Sequence, residues 1–124
     1  MAHDILIVDD EADIRSLVAG ILEDEGHHAR HAFDGPSAFA ATEARRPNLV
    51  LLDIWLEGSE VDGMEILEQL RVAHPEVPVV LMSGHGSVED VEEGLRLGAV
   101  EYLQKPVEID HLMEIIERVA RKKQ

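Results

Sequence analysis

The stretch NLVLLDIWLEGSEVDG, Asn48 to Gly63, sets four apolar residues, Leu49 to Leu52, directly before a carboxylate, Asp53. A run this short and this apolar reads as a strand covered on both faces, the kind found at the centre of a parallel sheet. Other runs of strand length surround it: DILIV (Asp4–Val8), HARHAF (His28–Phe33), VPVVLM (Val77–Met82) and AVEYL (Ala99–Leu103). Helical spacing fills the gaps. Ile14, Leu17, Val18, Ile21 and Leu22 recur at one-turn intervals before Gly26, and Ser37–Arg46 stops before Pro47. Met64, Ile66, Leu67 and Leu70 form a third helix that ends near His74 at Pro75. Val88, Val91 and Leu95 give a fourth its apolar face, with Ser87 and Asp90 as a capping box and Gly98 as a C-cap. Ile109, Leu112, Ile116 and Val119 carry a fifth, with the cations of RKK at its end. Strict alternation of strand and helix predicts a doubly wound α/β domain: a parallel sheet, helices on both faces, right-handed crossovers.

With 124 residues the chain is expected to be one domain. Twenty-six acidic against eleven basic residues give a formal charge of -15, which argues against non-specific binding to nucleic acid or anionic membrane. The start MAHDILIVDD has no secretory pattern, no apolar run is long enough for a bilayer, and Cys is absent, so a cytoplasmic location is expected.

The polar residues that follow the strands carry the chemistry. The first strand ends in Asp9, Asp10 and Glu11, the third in Asp53, the fourth in Ser83, and the fifth runs into Lys105. In an open α/β sheet such ends converge on one crevice, where strand order reverses. Each residue has a bland reading, as a helix cap, a turn residue or a solvated charge, but their complementary chemistry points elsewhere. Three adjacent carboxylates repel one another unless a cation sits among them. Oxygen donors alone favour Mg²⁺, with Mn²⁺ as a substitute, over Zn²⁺. A hydroxyl and an ammonium opposite that cation suit phosphoryl oxygens. The nucleophile is then a carboxylate, and Asp53, alone at its strand end, is the candidate.

In this order and spacing ILIVDDE (Ile5–Glu11), LVLLD (Leu49–Asp53), LMSG (Leu81–Gly84) and YLQKP (Tyr102–Pro106) resemble the receiver domain of bacterial two-component response regulators, over essentially residues 4 to 122. The resemblance implies a flavodoxin-like strand order 2-1-3-4-5 and a phosphoacceptor, Asp53, fed by a His of a sensor kinase. It implies Mg²⁺ held by Asp9 or Asp10, Asp53 and the backbone carbonyl of Trp55, with Asp10 the usual direct ligand. Ser83 and Lys105 would bind the phosphoryl oxygens, Tyr102 would be the aromatic switch, and the Lys105-Pro106 bond is expected to be cis. Trp55 and His85 match positions that tune acyl-phosphate lifetime. The face built by the fourth helix, fifth strand and fifth helix is expected to switch and to dimerise. LDIWLEGSEVDG and SGHGS are similar to NtrX-type nitrogen-regulation regulators, which implies an NtrY-like kinase and ATPase and DNA-binding output domains beyond a receiver spanning residues 1–124.

Glu57 stands where receivers usually have Pro, and the acidic loop EGSEVDG is longer than the common form. Three other readings remain open. A phosphate-independent binding module would keep the fold without the chemistry. An aspartate-nucleophile phosphatase needs a second carboxylate two residues after the nucleophile, where Trp55 stands. A flavin carrier needs a phosphate loop where this chain has DDEAD. His27, His28 and His31 match no ligand pattern and read as solvated surface; EDVEEG reads as a solvated face or a surface for a basic partner.

Overall fold

The computed structural model describes residues 2–56, 62–84 and 88–121. Ten elements alternate along the chain: β1 (Asp4–Val8), α1 (Ala12–Asp24), β2 (His28–Ala32), α2 (Gly35–Ala44), β3 (Leu49–Asp53), α3 (Gly63–Ala73), β4 (Val79–Ser83), α4 (Val88–Arg96), β5 (Glu101–Gln104) and α5 (Ile109–Arg121). All strand pairs are parallel, in the order β2-β1-β3-β4-β5, so the doubly wound arrangement and its strand order hold. Glu57, Ser87 and its capping role, His85 and the tail at 122–124 lie outside the described residues. No helix among the described residues is long and apolar enough to cross a membrane.

Successive side chains of a strand point to opposite faces, and here both faces are covered. Leu6, Val8, Val50, Leu52 and Leu81 pack with Ala38 of α2 and Ile66, Leu67 and Leu70 of α3. Ile5, Ile7, Leu49, Leu51, Val80 and Met82 pack with Val18 and Leu22 of α1 and Leu112, Ile115 and Ile116 of α5. Each Val, Leu, Ile or Met side chain among these contributes roughly 1.5–3 kcal/mol when fully buried, so a polar group within these strands would cost stability on either face. That is why β1, β3 and β4 read as unbroken apolar runs, and why their chemistry waits for the strand ends. The edge strand β2 tolerates polarity: Arg30 bonds the Asp4 carboxylate at 2.9 Å and the Ala41 carbonyl at 2.8 Å.

Several expectations shift. β5 begins at Glu101, because the Ala99 N–H is taken by the Gly94 carbonyl in the α4 C-cap, where Gly98 adopts φ 112°. β4 begins at Val79, since the Val77 N–H closes a turn onto His74 and Pro78 has no N–H to pair. The apolar spacing of α4 does not become a buried face: Val88 is 74% and Leu95 45% exposed, and the helix is seated through Gly94, whose missing Cβ leaves room for Leu81. Leu17 of α1 and Ile109 of α5 are likewise exposed. His28 and His31 are exposed as expected, but His27 is half-buried and its ring stacks on that of the buried His3 at 5.3 Å.

Candidate functional site

The connections from β1 and from β3 leave the sheet in opposite directions, and the two strands are neighbours. Their carboxyl ends therefore open one crevice at the point where strand order reverses. It holds about 640 Å³ and is lined by Asp10, Glu11, Asp53, Trp55, Ser83 and Lys105, together with Ile14, Gly84 and Pro106.

Asp9 is fully buried just past β1. Its N–H continues the sheet by donating to the Ala32 carbonyl at 3.1 Å. Its carboxylate accepts the Glu11 N–H at 2.9 Å through Oδ1 and the Lys105 ammonium at 2.7 Å through Oδ2. Glu11 occupies the N-cap of α1 but makes no side-chain cap bond, so the bland capping reading fails for that residue. Asp10, one residue on, is partly exposed and faces the crevice. Asp53 ends β3 with 4% of its surface exposed; Oδ1 accepts the Trp55 N–H at 3.1 Å and Oδ2 accepts the Lys105 ammonium at 3.0 Å. Lys105 thus bridges two buried carboxylates, one just past β1 and one at the end of β3.

Among the described residues, Asp9, Asp10 and Asp53 are the group of potential ligands whose oxygens approach within 4.8 Å of one another. His27, His28 and His31 form no such group there. Burial pushes the Asp53 carboxyl up from 3.8 to about 6, with Lys105 pulling the other way and Asp9 adding to the rise. Burial opposes the Lys105 charge, but its hydrogen bonds to Asp9 and Asp53 outweigh that, and the ammonium is held above its ordinary value. One cation among three carboxylates leaves excess negative charge in a poorly solvated place. That donor set fits a hard divalent cation, whose charge would offset the repulsion and the burial together.

Ser83 is buried at the end of β4. Its carbonyl accepts both the Lys105 N–H at 3.0 Å and the Tyr102 hydroxyl at 3.1 Å, so the half-buried Tyr102 is tied to the strand end beside the crevice. The Lys105-Pro106 bond is cis, as expected. Trp55 is 51% exposed at the crevice mouth. His85 lies outside the described residues.

Two residues of the site were not singled out from sequence. Gly63 begins α3 against the end of β3, and a Cβ there would stand 2.5 Å from the Asp53 and Ile54 carbonyl oxygens. A glycine directly after the Asp62 N-cap, where most residues serve, was the available signal. Arg15 donates through Nη1 to the Asp9 carbonyl at 2.6 Å; nothing in its spacing distinguishes it from any solvated arginine on a helix.

A parallel sheet of this order with acidic ends on β1 and β3 and a bridging lysine defines a class. The chain belongs to the response regulator receiver domain family, whose model matches residues 5–117. It is similar to the nitrogen assimilation regulatory protein NtrX of Azorhizobium caulinodans, 57% identical over 118 residues that cover 95% of this chain and 26% of that protein. The crystal structure of the receiver domain of NtrX from Brucella abortus superposes with a TM-score of 0.91 at 52% identity, covering 95% of this chain and 98% of that one. Sporulation initiation phosphotransferase F of Bacillus subtilis is 34% identical over 95% of this chain and 94% of its own length. The chain spans about a quarter of the length of the NtrX proteins it matches. It is an NtrX-like receiver domain of two-component signalling, a class that implies a sensor kinase as partner.

Proposed function

We propose that this domain accepts a phosphoryl group on Asp53 from a histidine of a sensor kinase, NtrY-like by the NtrX relationship, and passes the signal to transcriptional output. The observation that carries the reading is the Lys105 ammonium bonded to both Asp9 and Asp53 inside an acidic crevice. Asp10 and Asp53, with Asp9 and the Trp55 carbonyl, are the residues that would hold Mg²⁺. When bound, Mg²⁺ neutralises the carboxylates and the charge of the transferring group.

The chain's own groups do the rest. Asp53, fixed by the buried β3 and by the Trp55 N–H, places a carboxylate oxygen for in-line attack on phosphorus. The oxygen–phosphorus bond forms as the phosphorus–nitrogen bond of the donor histidine breaks, and the departing imidazole takes up a proton. Lys105 releases Asp53, keeps Asp9, and pairs with a phosphoryl oxygen; the Ser83 hydroxyl donates to another. Because the Ser83 carbonyl anchors the Tyr102 hydroxyl, a shift of Ser83 toward the new dianion unties Tyr102 and remodels the face of α4, β5 and α5. Dimerisation through that face, a cytoplasmic location, absence of direct nucleic-acid contact, and ATPase and DNA-binding domains beyond a receiver spanning residues 1–124 complete the reading. Trp55 and His85 set the lifetime of the acyl phosphate.

Intact mass after incubation with Mg²⁺ and acetyl phosphate tests it, beside an Asp53→Asn control. The expected result is a hydroxylamine-labile gain of one phosphoryl group that EDTA and the substitution both abolish. Mg²⁺ binding without any gain, from acetyl phosphate or from a kinase, would favour a phosphate-independent binding module instead.

A further inference from the structure

We infer that Arg15 is a positioning residue for the cation site, holding the peptide plane between Asp9 and Asp10 through its bond to the Asp9 carbonyl; this rests on the reading that the acidic crevice binds Mg²⁺. Four hydrogen bonds hold Asp9. Its N–H is held by β2, its Oδ1 by the Glu11 N–H, its Oδ2 by Lys105 and its carbonyl oxygen by Arg15. The last is different in kind. A peptide unit is planar, so fixing the Asp9 carbonyl oxygen also fixes the direction of the Asp10 N–H and the position of the Asp10 Cα. Asp10 is the member of the acidic group that is partly exposed and faces the crevice, and its carboxylate can be no better placed than the plane from which it projects.

Arg15 is built for this. Its own N–H bonds the Glu11 carbonyl at 3.1 Å, which anchors the residue in the first turn of α1, directly beyond the acidic segment. Its guanidinium is retained at a cost: Nε is buried and has no hydrogen-bond partner among the described residues. A buried unsatisfied donor is unfavourable, and an aliphatic residue would avoid it while keeping the helix. The charge-assisted bond to the Asp9 carbonyl is the compensating contact the structure offers.

Two roles for this cation make opposite forecasts. A guanidinium that serves only as counter-charge for the carboxylates competes with a bound metal ion, so removing it strengthens Mg²⁺ binding. A guanidinium that holds the Asp9–Asp10 plane preorganises the ligand, so removing it weakens binding in spite of the lost repulsion. The sign of the change decides between them.

The measurement is a Mg²⁺ titration, followed by calorimetry and by fluorescence of Trp55, the single tryptophan, which lines the crevice. Arg15→Met and Arg15→Lys are compared with the parent and with Arg46→Met, which breaks the exposed Arg46–Glu76 pair. Arg15→Met is expected to weaken Mg²⁺ binding about tenfold or more, while Arg15→Lys, which keeps a charged donor, stays near the parent, as does Arg46→Met. Labelling with acetyl phosphate then needs more Mg²⁺ in Arg15→Met but returns toward the parent rate at saturation. Equal or tighter binding in Arg15→Met overturns the inference, and so does an equal loss in Arg15→Lys and Arg15→Met. Should Arg15→Met fail to fold, Arg15→Gln replaces it with the same two readings. A parent protein that shows no Mg²⁺ response refutes the proposed function itself, whereas a responsive parent with an indifferent Arg15→Met refutes only the role of Arg15.

Discussion

Asp53→Asn is expected to stabilise the metal-free protein at neutral pH, and the structure sets both size and pH window. The folded carboxyl titrates at about 6 against 3.8 for an ordinary one, chiefly because it is buried. Between these values the folded chain keeps a proton that the unfolded chain has released, so stability falls as pH rises through the window. Below it the burden is absent; above about 6 it is complete. Two units of pKa correspond to roughly 3 kcal/mol. An amide at the same place carries no charge to desolvate, and Lys105 retains Asp9 at 2.7 Å. The amide oxygen can keep one of the two bonds from Lys105 and Trp55, and loss of the other reduces the gain to about 1–3 kcal/mol. Urea unfolding of parent and variant in EDTA, from about pH 4 to about pH 8, measures the difference while cancelling the other carboxylates. The gain should be present at neutral pH and fade toward pH 4. A variant less stable than the parent at neutral pH would mean that Lys105 outweighs burial, and a gain independent of pH would mean that charge is not its source; either refutes the reasoning.

Gly63→Ala should destabilise by about 1–3 kcal/mol, because the added methyl meets the main-chain oxygens of Asp53 and Ile54 and neither is the end of a flexible side chain; a melt like the parent's would show that α3 can retreat. Lys105→Met should slow labelling by acetyl phosphate roughly a hundredfold, since the ammonium touches the accepting carboxylate; a parent-like rate in a time course by mass would remove Lys105 from the chemistry. Trp55→Asn should shorten acyl-phosphate lifetime by admitting water at the crevice mouth, where Trp55 is 51% exposed; equal decay rates after removal of the donor would dismiss that role.

Much of this fold was legible because hydrophobic periodicity is local. Leu49 to Leu52 and Val79 to Met82 are apolar on both faces in the sequence and buried on both faces in the sheet. The alternation of such runs with helical spacing by itself restricts the topology to a few layered α/β arrangements. The same local signal misjudged α4 and part of α1. Val88, Leu95 and Leu17 have the spacing of a core-facing stripe, yet no described element covers them, and spacing cannot say whether a neighbour arrives. His27 reads as solvated for the converse reason: its stacking partner His3 is distant in sequence and adjacent only across β1 and β2.

By itself the sequence determined where chemistry could reside: Asp53 and Ser83 close apolar runs, Asp9, Asp10 and Lys105 lie just beyond strands, and strands of a parallel sheet end on one side. It did not determine how those groups are paired or charged. Lys105 is 96 residues from Asp9 and 52 from Asp53, and only folding places its ammonium between them. The raised pKa of Asp53, the grip of Arg15 on the Asp9 carbonyl and the tether from Tyr102 to Ser83 are likewise tertiary. Apolar burial follows from patterns along the chain, whereas the energy of a charge depends on the solvent it loses and the partners it meets through space.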